Sequence, residues 1–152
     1  MSMGVSEMGK IRIKDMERTS NDKTSIMVME FPFQLKRLNK YRGMFEKFMI
    51  HKIVIKCVGQ AGSAEKGVVA YGILSGTKVD IKEMDQILAL KPSKSHHVSM
   101  SSSVTITSDI QLGKWVSCDE ANAFTLYTMT TAASTSLMEI YYDVTFASPV
   151  PF

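Results

Sequence analysis

Catalysis and metal binding need particular side chains brought together, and this sequence offers few candidates. His96 and His97 are adjacent, so on a strand they point to opposite faces and cannot chelate one ion, and His51 stands alone. Cys57 and Cys118 belong to no C-x-x-C pair, which leaves a zinc site or a thioredoxin-like motif without support. Their surroundings resemble no catalytic setting, and with no apolar leader at the N-terminus they are expected to be reduced, inert thiols. The Ser/Thr-rich tract 95–108 contains no G-x-S-x-G elbow, and neither a P-loop nor G-x-G-x-x-G occurs. Asp80, Glu83 and Asp85 have oxygens suited to Ca²⁺, but acids at that spacing equally suit a helix N-terminus, which is the expectation here. No catalytic residue, metal ligand or cofactor is expected, and the chain does not read as an enzyme.

Charge is the one chemical feature with a pattern. The net charge of +3 is small, but it is unevenly spread. Residues 36–56 carry Lys36, Arg37, Lys40, Arg42, Lys47, Lys52 and Lys56 against Glu46 alone, while residues 57–152 sum to −3. Lys36, Arg37, Lys40 and Arg42 fall in a loop, and Lys52 and Lys56 share one face of a strand. With Lys10, Arg12 and Lys14 from the N-terminal stretch, they form the candidate nucleic-acid-binding set, because clustered cations attract phosphates. Tyr41 and Phe45 lie near enough to stack on bases, although their helical spacing with Met44 and Phe48 fits core anchors better. The bland alternative is a solvated face that keeps the protein soluble.

The elements that would position these groups are mostly strands. At 152 residues, with 45% hydrophobic and 22% charged, the chain has the composition of one ordinary globular domain. No run approaches the roughly 18–20 apolar residues of a membrane span. Residues 1–24 are polar and mixed in charge and read as a mobile arm; residues 25–152 read as the folded domain. There, short β-branched and aromatic runs recur with turn residues between them: 26–33, 49–58, 67–74, 97–100, 103–107, 114–117, 124–130 and 137–146. In the 49–58 run, Met49, Ile53, Ile55 and Cys57 are assigned to one face. In the last, Met138, Ile140, Tyr142, Val144 and Phe146 alternate with Glu139, Asp143 and Thr145, as a half-buried antiparallel strand requires. Short helices are expected over 40–48 and over 79–90, the second capped by Thr77 and stopped by Pro92. Eight strands with helices in the connections imply an all-β, antiparallel jelly-roll sandwich.

Three passages carry a family resemblance. A Tyr/Phe-containing turn, 41–48, leads into His51-Lys-Ile-Val-Ile-Lys-Cys-Val58. A small-residue turn then precedes the glycine-started strand Gly67-Val-Val-Ala-Tyr-Gly-Ile73, and a long strand, Leu137 to Phe146, ends near Pro149. Together they resemble the single-jelly-roll coat proteins of small icosahedral positive-strand RNA viruses, chiefly of plants. The resemblance implies a capsid protein that assembles with many copies of itself into a closed shell around viral single-stranded RNA. It implies a place in the virion and the host cytoplasm, and no membrane or small-molecule partner. One departure stands out: residues 1–23 sum to only +1, where many such coat proteins carry an arm dense in Arg and Lys. Two other readings stay open, a jelly-roll viral movement protein that binds RNA and a cellular β-sandwich that binds a ligand.

Overall fold

The computed structural model describes residues 9–21, 26–59, 67–75, 79–106, 112–119, 123–131 and 136–150. Its strands are β1 (Ile11–Asn21), β2 (Met27–Phe31), β3 (Phe45–Val58), β4 (Val68–Ser75), β5 (Ser93–His97), β6 (Ser102–Ile106), β7 (Trp115–Ser117), β8 (Phe124–Thr130) and β9 (Ser136–Pro149). Two short helices, α1 (Lys36–Asn39) and α2 (Met84–Leu88), lie in connections. One sheet runs β1-β9-β3-β6, with β7 also pairing to β3; the other runs β2-β8-β4-β5. All named pairings are antiparallel. Two such sheets packed face to face form a jelly-roll sandwich.

The alternation in β9 explains why this strand organises its sheet. Met138, Ile140, Tyr142, Val144 and Phe146 are all buried, and β9 is hydrogen-bonded to β1 on one side and β3 on the other. Within the β2-β8-β4-β5 sheet the paired Phe31 and Phe124 rings stack with centroids 4.7 Å apart, and Phe31 meets Tyr142 of the facing sheet at 6.3 Å. At one end Tyr41, Phe45 and Phe48 converge on Phe146, with centroids 5.1, 5.9 and 6.2 Å from it. A second, smaller cluster of Ala70, Ile81, Ile87 and Tyr127 packs α2 on the outside of the β4–β8 sheet. Gly72 makes this close approach possible, since a Cβ there would lie 2.7 Å from the Ile87 carbonyl oxygen.

Several expectations need correction. Within the stretch read as a mobile arm, residues 11–21 form β1; residues 1–8 and 22–24 lie outside the described residues. Arg12, Lys14 and Arg18 stand on the solvent side while Ile11 and Ile13 are buried, and Asp15 and Glu17 follow the isoleucines' parity half-buried, a pattern that composition alone reads as disorder. The helix expected over 40–48 is absent: α1 comes earlier, a turn follows, and β3 begins at Phe45. Of its apolar stripe, Tyr41, Phe45 and Phe48 still pack in or against the core, from a turn and a strand, while Met44 is exposed. The helix expected over 79–90 shortens to Met84–Leu88, capped by a reciprocal Glu83–Gln86 box, and Thr77 lies outside the described residues. The strand expected over 97–100 lies instead at Ser93–His97, directly after Pro92.

The 49–58 strand holds a subtler correction. Its register against β9 shifts between Ile50 and Lys52, leaving His51 as the extra residue of a bulge. Phe48 and Ile50 therefore face the core together with Ile53, Ile55 and Cys57, and Met49 goes to the opposite face. A strict period of two assigns Met49 wrongly, because the bulge inverts the parity.

Candidate nucleic-acid interface

The outer face of the β1-β9-β3-β6 sheet is where most of the predicted cations meet. Arg12, Lys14 and Arg18 are exposed at alternate positions of β1, opposite the buried Ile11 and Ile13. Pairing then sets the neighbours in rows across the strands. Lys14, Asp143 and Lys52 lie side by side; Met16, Tyr141, Val54 and Thr105 form the next row, and Arg18, Glu139, Lys56 and Ser103 the one after. Neighbouring strands are about 4.8 Å apart, so Lys14 and Lys52 stand roughly 10 Å apart on either side of Asp143. At the other end Lys10 and Lys47 both lie over the Trp115 ring, 5.6 and 4.9 Å from its centroid.

Two acids interrupt this positive field, and each is engaged by an arginine. Arg12 donates Nε to Asp143 Oδ1 at 2.9 Å and Nη2 to Oδ2 at 2.7 Å. Arg18 Nε donates to Glu139 Oε2 at 2.8 Å, and the Tyr141 hydroxyl donates to Oε1 at 3.1 Å. These donors hold both carboxyls below their ordinary range, against the opposing effect of desolvation. Burial lowers the His51 pKa, and its Nε2 lies 2.6 Å from Thr145 Oγ1. Lys52 and Lys56 are exposed and make no salt bridge among the described residues, although Lys56 stands beside Glu139 and helps to lower its pKa.

The candidate set therefore divides. Lys10, Arg12, Lys14, Lys52 and Lys56 share this sheet face, whereas Lys36, Arg37, Lys40 and Arg42 do not. Arg37 is committed to the β1 edge: its Nη1 lies 2.7 Å from Asp15 Oδ2 and donates to the Met16 carbonyl at 3.2 Å. Its backbone N–H donates to Glu17 Oε1 at 3.3 Å, and Lys36 lines the same edge beside Asp15 and Glu17. Lys40 lies over the Tyr41 ring and Arg42 over Phe33, both at the aromatic end of the sandwich. Tyr41 is buried there against Phe146, so it packs in the core and is not open to a base.

Sequence reasoning left out Arg18, Lys47, Trp115 and Tyr141 from this face. The signal was present as alternation: Arg12, Lys14 and Arg18 share one parity on β1, as Glu139, Tyr141 and Asp143 do on β9. Only the pairing of β1 with β9, more than a hundred residues apart, puts the two sets together.

The other candidates give no chemistry. Cys57 and Cys118 are free and buried, and burial pushes both thiols up to about 11, far from a reactive thiolate at neutral pH. His96 Nε2 lies 2.7 Å from Ser102 Oγ and its Nδ1 2.9 Å from the His97 carbonyl oxygen, while His97 Nδ1 lies 2.7 Å from Ser99 Oγ. Asp80 pairs with Lys82 in solvent, and Glu83 caps α2. Among the described residues no three His, Cys, Asp or Glu side chains are grouped to hold a metal ion, and no helix is long and apolar enough to cross a membrane.

Comparison with known proteins divides sharply between sequence and structure. No protein-family model and no curated protein matches the sequence. The fold, in contrast, superposes on chains of solved virus structures along nearly its whole length. A chain of tobacco necrosis virus matches with a TM-score of 0.79 at 10% identity, covering 99% of this chain and 87% of that one. Mud crab tombus-like virus gives 0.72 at 12%, covering 100% and 92%. The semi-empty virus-like particle of giant freshwater prawn nodavirus gives 0.66 at 12%, covering 93% and 86%. At such identities the likeness establishes the architecture: this chain has the jelly-roll fold found in the chains of these virus particles.

Proposed function

We propose that the protein is a structural capsid protein, which assembles with many copies of itself into an icosahedral shell and encloses viral single-stranded RNA. The observation that carries this reading is the extent of the structural match. It runs over nearly all of this chain and most of each particle chain, so the shared fold accounts for almost the whole of both. The described surface adds no catalytic constellation to the sandwich. A shell tile needs none: it needs a rigid body and modest contacts repeated by symmetry.

RNA is the cargo that the basic sheet face suits. Lys10, Arg12, Lys14, Arg18, Lys47, Lys52 and Lys56 outnumber the two acids of that face, and Lys52 and Lys56 present exposed charge to phosphates. In this reading the protein resides in the virion and, before assembly, in the host cytoplasm. The movement-protein and ligand-binding readings have no observation that favours them over a shell role.

Electron microscopy of the purified protein tests the assembly. Uniform spherical particles are expected, with a raised ratio of absorbance at 260 to 280 nm where RNA is enclosed. Only monomers or small oligomers across a range of pH and salt would overturn the shell role.

A further inference from the structure

The middle row of the basic face differs from its neighbours. Met16, Tyr141 and Val54 make an uncharged strip between the Lys14–Asp143–Lys52 row and the Arg18–Glu139–Lys56 row. Tyr141 is 39% exposed on the outer face of the sheet, opposite the core. Hollows flank it on both sides. One, of about 600 Å³, is lined by Lys14, Met16, Lys52, Val54, Tyr141 and Asp143; the other, of about 470 Å³, by Val54, Lys56, Ser101–Ser103 and Tyr141. Both are shallow and open to solvent, so they leave the faces of the ring accessible.

The Tyr141 ring is also held in place. Its hydroxyl donates to Glu139 Oε1, and Arg18 secures the other oxygen of that carboxylate. A fixed, exposed ring loses little rotamer freedom when something stacks on it. Trp115, the other exposed aromatic of this face, already carries Lys10 and Lys47 over its ring. Tyr141 is thus the open platform, with the exposed Lys52 and Lys56 on either side of it along β3.

We propose that this strip selects unpaired RNA: a base stacks on Tyr141 within the flanking hollows while Lys52 and Lys56 hold the adjoining phosphates. A duplex offers its phosphates but keeps its bases stacked on each other, so it can use the lysines and not the ring. The proposal rests on the RNA-binding reading above and adds to it that unpaired bases are engaged directly, and the residue that engages them.

Fluorescence anisotropy of the full chain with a labelled 20-nucleotide single-stranded RNA, and with the same RNA annealed to its complement, tests this. Tyr141→Leu is expected to weaken single-strand binding by about tenfold and duplex binding hardly at all, with an unchanged salt slope. Tyr141→Phe, which keeps the ring, is expected to retain the single-strand preference, and it guards against a loss caused only by misfolding. If Tyr141→Leu keeps the wild-type preference for single strands, or if wild type shows none, the stacking role is overturned while RNA binding stands. If wild type binds neither RNA, both readings fall.

Discussion

Arg12 and Asp143 lie 131 residues apart in sequence and are joined side by side by two hydrogen bonds across the β1–β9 pairing. Lys14 adds a weaker attraction, with its Nζ 3.9 Å from Asp143 Oδ2. Because the folded protein lowers the Asp143 pKa, the pair contributes stability above the ordinary carboxylate value of about 3.9, and that contribution is lost as pH falls through the depressed folded value. Asp143→Asn is therefore expected to lower the thermal midpoint at pH 7 and to approach wild type in strong acid. Melting curves at pH 7 and pH 2 check this; an equal gap at both would remove the pair as the cause.

The division of the basic residues separates two sets of variants. Lys52→Ala with Lys56→Ala is expected to reduce the salt slope of RNA binding by about 1.4, roughly 0.7 per lost phosphate contact. Arg37→Ala is expected to leave that slope unchanged and to lower the thermal midpoint, since Arg37 ties α1 to β1 through Asp15 and the Met16 carbonyl. Anisotropy titrations from low to high salt, paired with thermal melts, distinguish the two. A fall in slope for Arg37→Ala would return the 36–42 segment to the RNA interface.

Deleting residues 1–24 is more than the removal of an arm. It takes away β1, uncovers one edge of β9 and removes Ile11 and Ile13 from the core. The deletion is expected to abolish soluble, cooperatively unfolding protein. A variant that unfolds in urea with the wild-type midpoint and slope would show that β1 contributes little to the sandwich.

Gly72 gives a local test of how α2 is seated. A methyl group at this position would meet the Ile87 carbonyl oxygen and the Leu90 side chain, so α2 would have to lift from β4. Gly72→Ala is expected to cost about 1–3 kcal/mol in urea unfolding, with faster amide exchange concentrated in Met84–Leu88. Wild-type stability would mean that the helix shifts without loss.

The particular elements explain which features were legible. β9 was readable because five apolar residues recur at every second position, with Glu139, Asp143 and Thr145 among the residues between them, and one strand buried on one face leaves that local trace. β4 and β8 were readable for a different reason, as short β-branched and aromatic runs that are buried on both faces. β1 was not, since its outward positions carry Arg12, Lys14 and Arg18, and the partners that make them sheet residues, Asp143 and Glu139, come from the other end of the chain. The Tyr41–Phe48 stripe carried a true signal of burial, yet a turn entering a strand reproduces the spacing of a helix.

Local pattern thus determined the all-β class, most strands, the aromatic core and the basic character of the 36–56 stretch, because burial and charge are written residue by residue. Tertiary structure decided which cations share a surface, that Arg37 serves an edge instead, that His51 makes the bulge which inverts the parity of β3, and that Tyr141 stands open between two basic rows. Those outcomes depend on register between strands distant in sequence, and hydrogen bonds between backbones leave no local mark in the residues they bring together.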